Sequence, residues 1–146
     1  QARLFAPQLR VAGVYDLPII ATSQIAGGEA NARMNRELDG IEFTEVPWLM
    51  SDLPAVPARA PLASALESAR GGGARLFAFG LDAFRLLGHL DQLSADPNHR
   101  LDGATGQLWL DGFGQVQRSP GWARFSNGHV QPAPDGGLIS DGVRLQ

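Results

Sequence analysis

Lysine is absent from this chain of 146 residues, and so is cysteine. All twelve basic residues are arginines, which excludes a P-loop lysine, a Schiff-base lysine and a lysine general base. Without cysteine there is no thiol nucleophile, zinc knuckle or disulfide, and the redox compartment stays undecided. Positive charge is not in excess either: twelve basic against fifteen acidic side chains leave a formal charge of −3. That balance speaks against a phosphate backbone as partner. No run approaches the ~20 apolar residues of a membrane-spanning helix. No signal-peptide pattern is visible, and the chain opens on Gln1 rather than methionine. It therefore reads as an excised piece, with any targeting segment expected upstream.

What is present is a globular composition, 44% hydrophobic and 18% charged, with enough chain for a real core. Leu4, Phe5, Leu9 and Val11 recur at helical spacing, leaving Arg3 and Arg10 for water, and Pro7 starts or bends that helix. Leu17–Thr22 is a short apolar run of the parallel-strand kind, and Asn31–Leu38 is a short helix. Ile41–Val46 alternates as a second strand expected to share a sheet with the first. Three prolines from Pro47 to Pro57 make a loop. Helices follow at 61–70 and 74–90, separated by Gly71-Gly72-Gly73. In the second, Leu76, Gly80, Phe84 and Leu87, joined by Phe77 and Leu81, form an apolar ridge. Asp82 and Arg85 lie on its polar flank, spaced to pair. Gly80 is costly there unless something packs close to it. Thr105–Asp111, Gln115–Arg118 and Trp122–Ser126 are short strands, and Asn127-Gly128 turns the last into His129-Val130. These strands are expected to form an antiparallel appendage. Beyond 131 a flexible tail, 132–146, is expected.

Catalytic signatures are missing. His89, His99 and His129 share no metal-ligand spacing, and His89 reads as a solvated helix-flank residue. Ser23, Ser51 and Ser94 sit in no nucleophile elbow. Glu42 and Glu45 point to opposite faces of a strand and do not make a pair. The glycine triplet lacks a Walker lysine and reads as a helix break. No catalytic residue, metal site or cofactor is expected.

Several segments recur together in one family: Asp16–Ser23, Met34–Ile41, Glu45–Leu49, Arg75–Leu86, Leu101–Gly106 and Trp122–Gly128. Together they resemble the carboxy-terminal domain of the LppC (LpoA) family, penicillin-binding protein activators of Gram-negative bacteria. The likeness runs from Ala2 to Val130. It implies a three-layer α/β fold, part of the two-lobed type I periplasmic-binding-protein architecture. In such a fold the helix around Asp82 crosses to the first lobe and the following hairpins return to the second. Residues 1–131 would then be a partial domain, the second lobe plus crossover helices. The resemblance further implies a non-catalytic outer-membrane lipoprotein, anchored upstream of this stretch and hanging into the periplasm. There it would bind a class A penicillin-binding protein and stimulate peptidoglycan synthesis. A half-cleft of this kind is expected to pair with a second copy, swap elements, or stand as a remnant of a longer chain.

Two candidate surfaces follow. Ligands of open α/β sheets gather at the carboxyl ends of strands, here Ser23, Gln24, Pro47 and Trp48, where an amino acid or wall fragment is the alternative ligand. Docking on a synthase would instead use arginines, which make bidentate contacts to carboxylates while packing a flat face. The candidates are Arg33 and Arg36 on the short helix, Arg59 in the proline-rich loop, and Arg118 and Arg124 near the hairpins. Local pairing with Glu29, Glu37 or Glu67 is the competing role for each.

Overall fold

A computed structural model describes residues 2–13, 17–27 and 31–133. The chain divides into two compact units, 1–45 with 122–146, and 46–121. It therefore leaves the first unit after its second strand and re-enters it at Trp122.

In the first unit, helix α1 (Ala2–Val11) keeps Pro7 within its span and buries Ala6. Its arginines, expected to face water, are its anchors. Arg3 Nη2 donates to Asn35 Oδ1 at 2.8 Å and Arg10 Nη2 to the Asp39 carbonyl at 2.9 Å. The apolar residues Leu4, Phe5, Leu9 and Val11 are the exposed side. The first strand is shorter than expected, β1 being Ile20–Ala21 alone. Pro18 offers no N–H to a ladder, and Leu17 and Ile20 stay exposed. Asn31 caps α2 (Ala32–Asn35) by accepting the Met34 N–H, and a 3-10 turn carries the chain on to Leu38.

β2 (Glu42–Glu45) pairs in parallel with β1, Ile20 opposite Glu42 and Ala21 opposite Phe43, as the hydrophobic runs predict. Both faces of β2 are covered, for Glu42, Phe43 and Glu45 are all buried. A strand covered on both faces needs hydrogen-bonded neighbours on both edges. β6 (Gly121–Ser126) supplies the second edge, and β7 (His129–Pro132) follows it antiparallel, giving the order β1-β2-β6-β7. The last hairpin is thus part of the mixed sheet rather than an appendage. Phe43 and Phe125 meet at 5.0 Å between ring centroids in its core. Pro132 ends β7 and buried Ala133 donates its N–H to the Trp122 carbonyl, so the first two residues of the stretch expected as a tail belong to the sheet. Its remainder, 134–146, lies outside the described residues.

The second unit holds α3 (Arg59–Ala65), α4 (Ala74–Leu87), α5 (Leu90–Ala95) and an antiparallel sheet of β3 (Leu101–Gly103), β4 (Gly106–Leu110) and β5 (Val116–Ser119). Both helices stop short of the expected 70 and 90. Arg70 turns back so that its Nε and Nη2 donate to the carbonyls of Ala63 and Ser64, satisfying the end of α3. Gly88-His89 breaks the chain between α4 and α5, where His89 Nδ1 meets the Arg85 carbonyl at 2.8 Å.

The stripe that α4 buries is not the predicted ridge. Ala74, Ala78 and Asp82 are buried, while Leu76, Phe79, Phe84 and Leu87 are each more than half exposed. Of the predicted ridge, Phe77 and Leu81 pack against the core, while the exposed members are left uncovered among the described residues. Nor does anything approach Gly80, around which an added Cβ would find open space. The core of the unit gathers Trp48, Val56, Ala69, Ala78 and Ala104, and a second cluster joins Leu93 of α5 to Leu101, Leu108 and Leu110 of the sheet.

Candidate docking surface

The element that organises the second unit is a single carboxylate. Asp82, 3% exposed, accepts the backbone N–H of Ala104 at 2.6 Å, that of Thr105 at 2.8 Å and the Thr105 hydroxyl at 2.6 Å. The expected pairing of Asp82 with Arg85 does not form, because both carboxylate oxygens are turned to donors of the β3–β4 turn. Arg85 reaches the same turn from outside, donating Nη1 to the Asp102 carbonyl at 2.7 Å. The run Leu101-Asp102-Gly103-Ala104-Thr105-Gly106 is now intelligible. A Cβ at Gly103 would stand 2.7 Å from both Asp82 oxygens, and one at Gly106, where φ is +130°, would stand 2.0 Å from the Ser119 carbonyl oxygen. Only glycine fits either place.

The cleft candidates fall in two units. Ser23 and Gln24 form a 3-10 turn after β1 in the first, whereas Pro47 and Trp48 belong to the second. Trp48, read from its place at a strand end as a ligand contact, is a core residue. It is 1% exposed, donates Nε1 to the Pro57 carbonyl at 2.7 Å, and stacks on Phe77. Pro47 borders a recess of about 280 Å³ lined mainly by Leu53, Pro54, Ala55 and the Gly103–Gln107 turn. Such a volume lies just below the usual range for small-molecule sites.

The arginines sort by environment. Arg33 and Arg36 are exposed on and just after α2, and Arg118 is exposed on β5. Arg59 is half-buried at the start of α3. Arg124 lies with Nη1 4.0 Å from the fully buried Glu42 carboxylate, so its charge is committed to β2. Glu42 and Glu45 are both buried, which alternation alone did not foresee for the outward-facing half of β2.

The β4–β5 hairpin was read from the sequence as two short strands, but the turn between them was not singled out as a site. Asp111 Oδ1 accepts the N–H groups of Phe113 and Gln115, both at 2.9 Å, and Oδ2 accepts Gln117 Nε2 at 2.7 Å. These bonds, that to Gln115 first, hold the Asp111 carboxyl below the usual aspartate range. A depressed folded-state pKa means the turn gains stability above the ordinary aspartate pKa and loses it as pH falls through the lowered value. The amide resonances of Phe113 and Gln115 should therefore titrate together, with a midpoint below that of an unfolded peptide of the same sequence. A midpoint at or above the peptide value would show that the carboxylate does not hold the turn.

Among the described residues, no cluster of three potential metal ligands and no helix long and apolar enough to cross a membrane is found. The profile described as "LppC putative lipoprotein" matches residues 1–128. The chain belongs to the LppC family. A penicillin-binding protein activator LpoA of Enterobacter sp. (strain 638) is 32% identical over 117 residues, and one of Photobacterium profundum is 35% identical over 109. This chain spans only about a sixth of their length, 16% and 18%. Among solved structures, the LpoA C-domain of Haemophilus influenzae, described as a regulator of PBP1A, is similar over 90% of this chain and 41% of its own, with TM-score 0.71 and 25% identity. A structure from Chromobacterium violaceum described as "a putative branched-chain amino acid ABC transporter" is similar over 82% of this chain and 39% of its own, with TM-score 0.51 and 30% identity. The α/β reading and the periplasmic-binding-protein likeness of this LppC-family chain therefore hold.

Proposed function

We propose that this chain is the docking part of a non-catalytic activator, which binds a class A penicillin-binding protein and stimulates peptidoglycan synthesis. The observation that carries the reading is the match of residues 1–128 to the LppC family, whose relatives bear the activator name. The site is the periplasmic face of the outer membrane, reached through a lipid anchor outside this stretch. Nothing in the reading calls for a reaction by the chain itself.

Arg33, Arg36 and Arg118, exposed and without a partner among the described residues, support docking through carboxylates on the synthase. Reversing Arg33 and Arg36 together, or Arg118, to Glu is expected to weaken binding at least tenfold, about 1.4 kcal/mol. The loss should shrink at high salt, as rim charges are screened, and circular dichroism should be unchanged. If every reversal leaves both the pull-down and the stimulated glycan polymerisation intact, the arginines are not the docking surface. The alternative, a sensor of an amino acid or wall fragment, has less support because Trp48 is sealed in the core. The exposed stripe of α4 supports pairing with a second copy, and light scattering that finds a monomer at every concentration would exclude it.

A further inference from the structure

The most exposed aromatic side chain of the described residues is Phe113, 90% accessible at the tip of the β4–β5 hairpin. An apolar ring in that position gains nothing from the fold, since it touches no core. Yet the turn that carries it is closed by five hydrogen bonds, all involving Asp111. Asp111 donates its N–H to the Gln115 carbonyl and accepts the Gly114 N–H on its own, both at 3.0 Å. Its carboxylate takes three further donors from Phe113, Gln115 and Gln117. Gly114 supplies the positive φ of +76° that closes the turn. The hairpin stands on a ladder pairing Leu110 with Val116 and Leu108 with Arg118, and Leu108 and Leu110 root it in the core.

A side chain presented on a pre-ordered turn loses little conformational entropy on binding, which is the property of an interface anchor. We infer that Phe113 is such an anchor, inserting into an apolar pocket of the protein partner, with Arg118 meeting a carboxylate on that pocket's rim. Residues 110–117 contain no basic side chain, and the one charge there is acidic, which disfavours an anionic membrane surface. The ring offers no hydrogen bond to select a sugar. Val116, 48% exposed, and Arg118 project two residues apart from one face of β5, so an apolar contact passes directly into a cationic one. The complementary surface is that of a protein.

The inference rests on the proposed docking to a class A synthase and names the contact. The test immobilises the chain and measures binding of the periplasmic part of a class A penicillin-binding protein from the same organism. Variants are Phe113→Ala, Phe113→Leu and Asp111→Ala. Phe113→Ala should raise Kd at least tenfold with an unchanged melting temperature, mainly through faster dissociation. Phe113→Leu should recover part of the affinity, and Asp111→Ala should lose affinity with the ring intact. The Phe113→Ala loss should be equal in low and high salt, unlike that of an Arg118 reversal. If wild type does not bind the synthase, the docking function itself fails. If wild type binds and Phe113→Ala binds within twofold of it, the anchor is refuted while the function stands. A Phe113→Ala chain that loses self-association, or attachment to phosphatidylglycerol vesicles, but keeps its synthase affinity also overturns the inference.

Discussion

Replacing Asp82 by alanine is expected to remove roughly 4 kcal/mol of stability from the second unit. The figure follows from the environment: the carboxylate accepts two backbone N–H groups and one hydroxyl, all buried. Each donor left without a partner costs about 1–3 kcal/mol, and bonds to a charged acceptor are the stronger kind. For a unit of this size the loss corresponds to a drop in Tm on the order of 20 °C. Asp82→Asn should fall between, because its amide keeps one acceptor oxygen but turns an NH2 toward a donor. Thr105→Val should cost least, about 1 kcal/mol for one hydroxyl bond. Urea titration with tryptophan fluorescence measures the series, Trp48 lying in the same core. An Asp82→Ala chain within 1 kcal/mol of wild type would mean that the turn is held by its strands alone.

Gly128→Ala should do comparable damage to the first unit. Gly128 sits at φ +76°, and a Cβ there would lie 1.9 Å from the Ala32 carbonyl oxygen and 2.7 Å from its carbon. Both neighbours are backbone, so neither gives way cheaply. The same residue donates its N–H to Asp39 Oδ1 at 2.8 Å, tying the β6–β7 turn to the end of the α2 segment. The expected result is a loss of about 3 kcal/mol or more, from left-handed strain together with the forced separation of backbone segments. Protease cleavage should appear first within 121–133. Gly80→Ala is the matched control with the opposite sign: open space surrounds Gly80 inside α4, and alanine should stabilise the helix by about 0.5–1 kcal/mol. Equal effects from the two substitutions would sink the geometric argument.

These positions show where sequence reasoning reached and where it stopped. The parallel pairing of β1 with β2 was legible because a short apolar run and an alternating run, with turn signals between them, have few other uses. The Asn127-Gly128 turn was legible because few dipeptides adopt positive φ twice, and here φ is 52° and 76°. What was not legible is burial that depends on a partner far away in sequence. Asp82 looks like a solvated flank residue until Thr105, 23 positions later, turns toward it. Leu76, Phe84 and Leu87 carry the helical apolar signal in full, yet periodicity cannot say whether the covering surface belongs to the same chain. The bonds of the α1 arginines were missed for a related reason, since Asn35 and Asp39 were not known to lie opposite them, although Arg10 stays exposed as expected. At the candidate site the family resemblance supplied the function class, while Phe113 escaped notice because glycine on each side of it reads as a plain loop.

The departure of the chain at Val46 and its return at Trp122 governs the order in which this protein acquires structure during synthesis. β2 leaves the ribosome some 80 residues ahead of β6, the strand that completes its sheet, so for that interval one edge of β2 has no hydrogen-bonded neighbour. Closing a loop of this length costs about 4 kcal/mol of chain entropy, which no local contact in the first unit repays early. The inserted segment is continuous in sequence and built on near-neighbour hairpins and helices, needs no loop of that length closed, and should fold first. A released chain ending at residue 120 should accordingly protect 46–119 from protease while leaving 1–45 open to it. The waiting strand is then the segment most exposed to mispairing with another copy, and the last hairpin doubles as the clasp that ends that exposure.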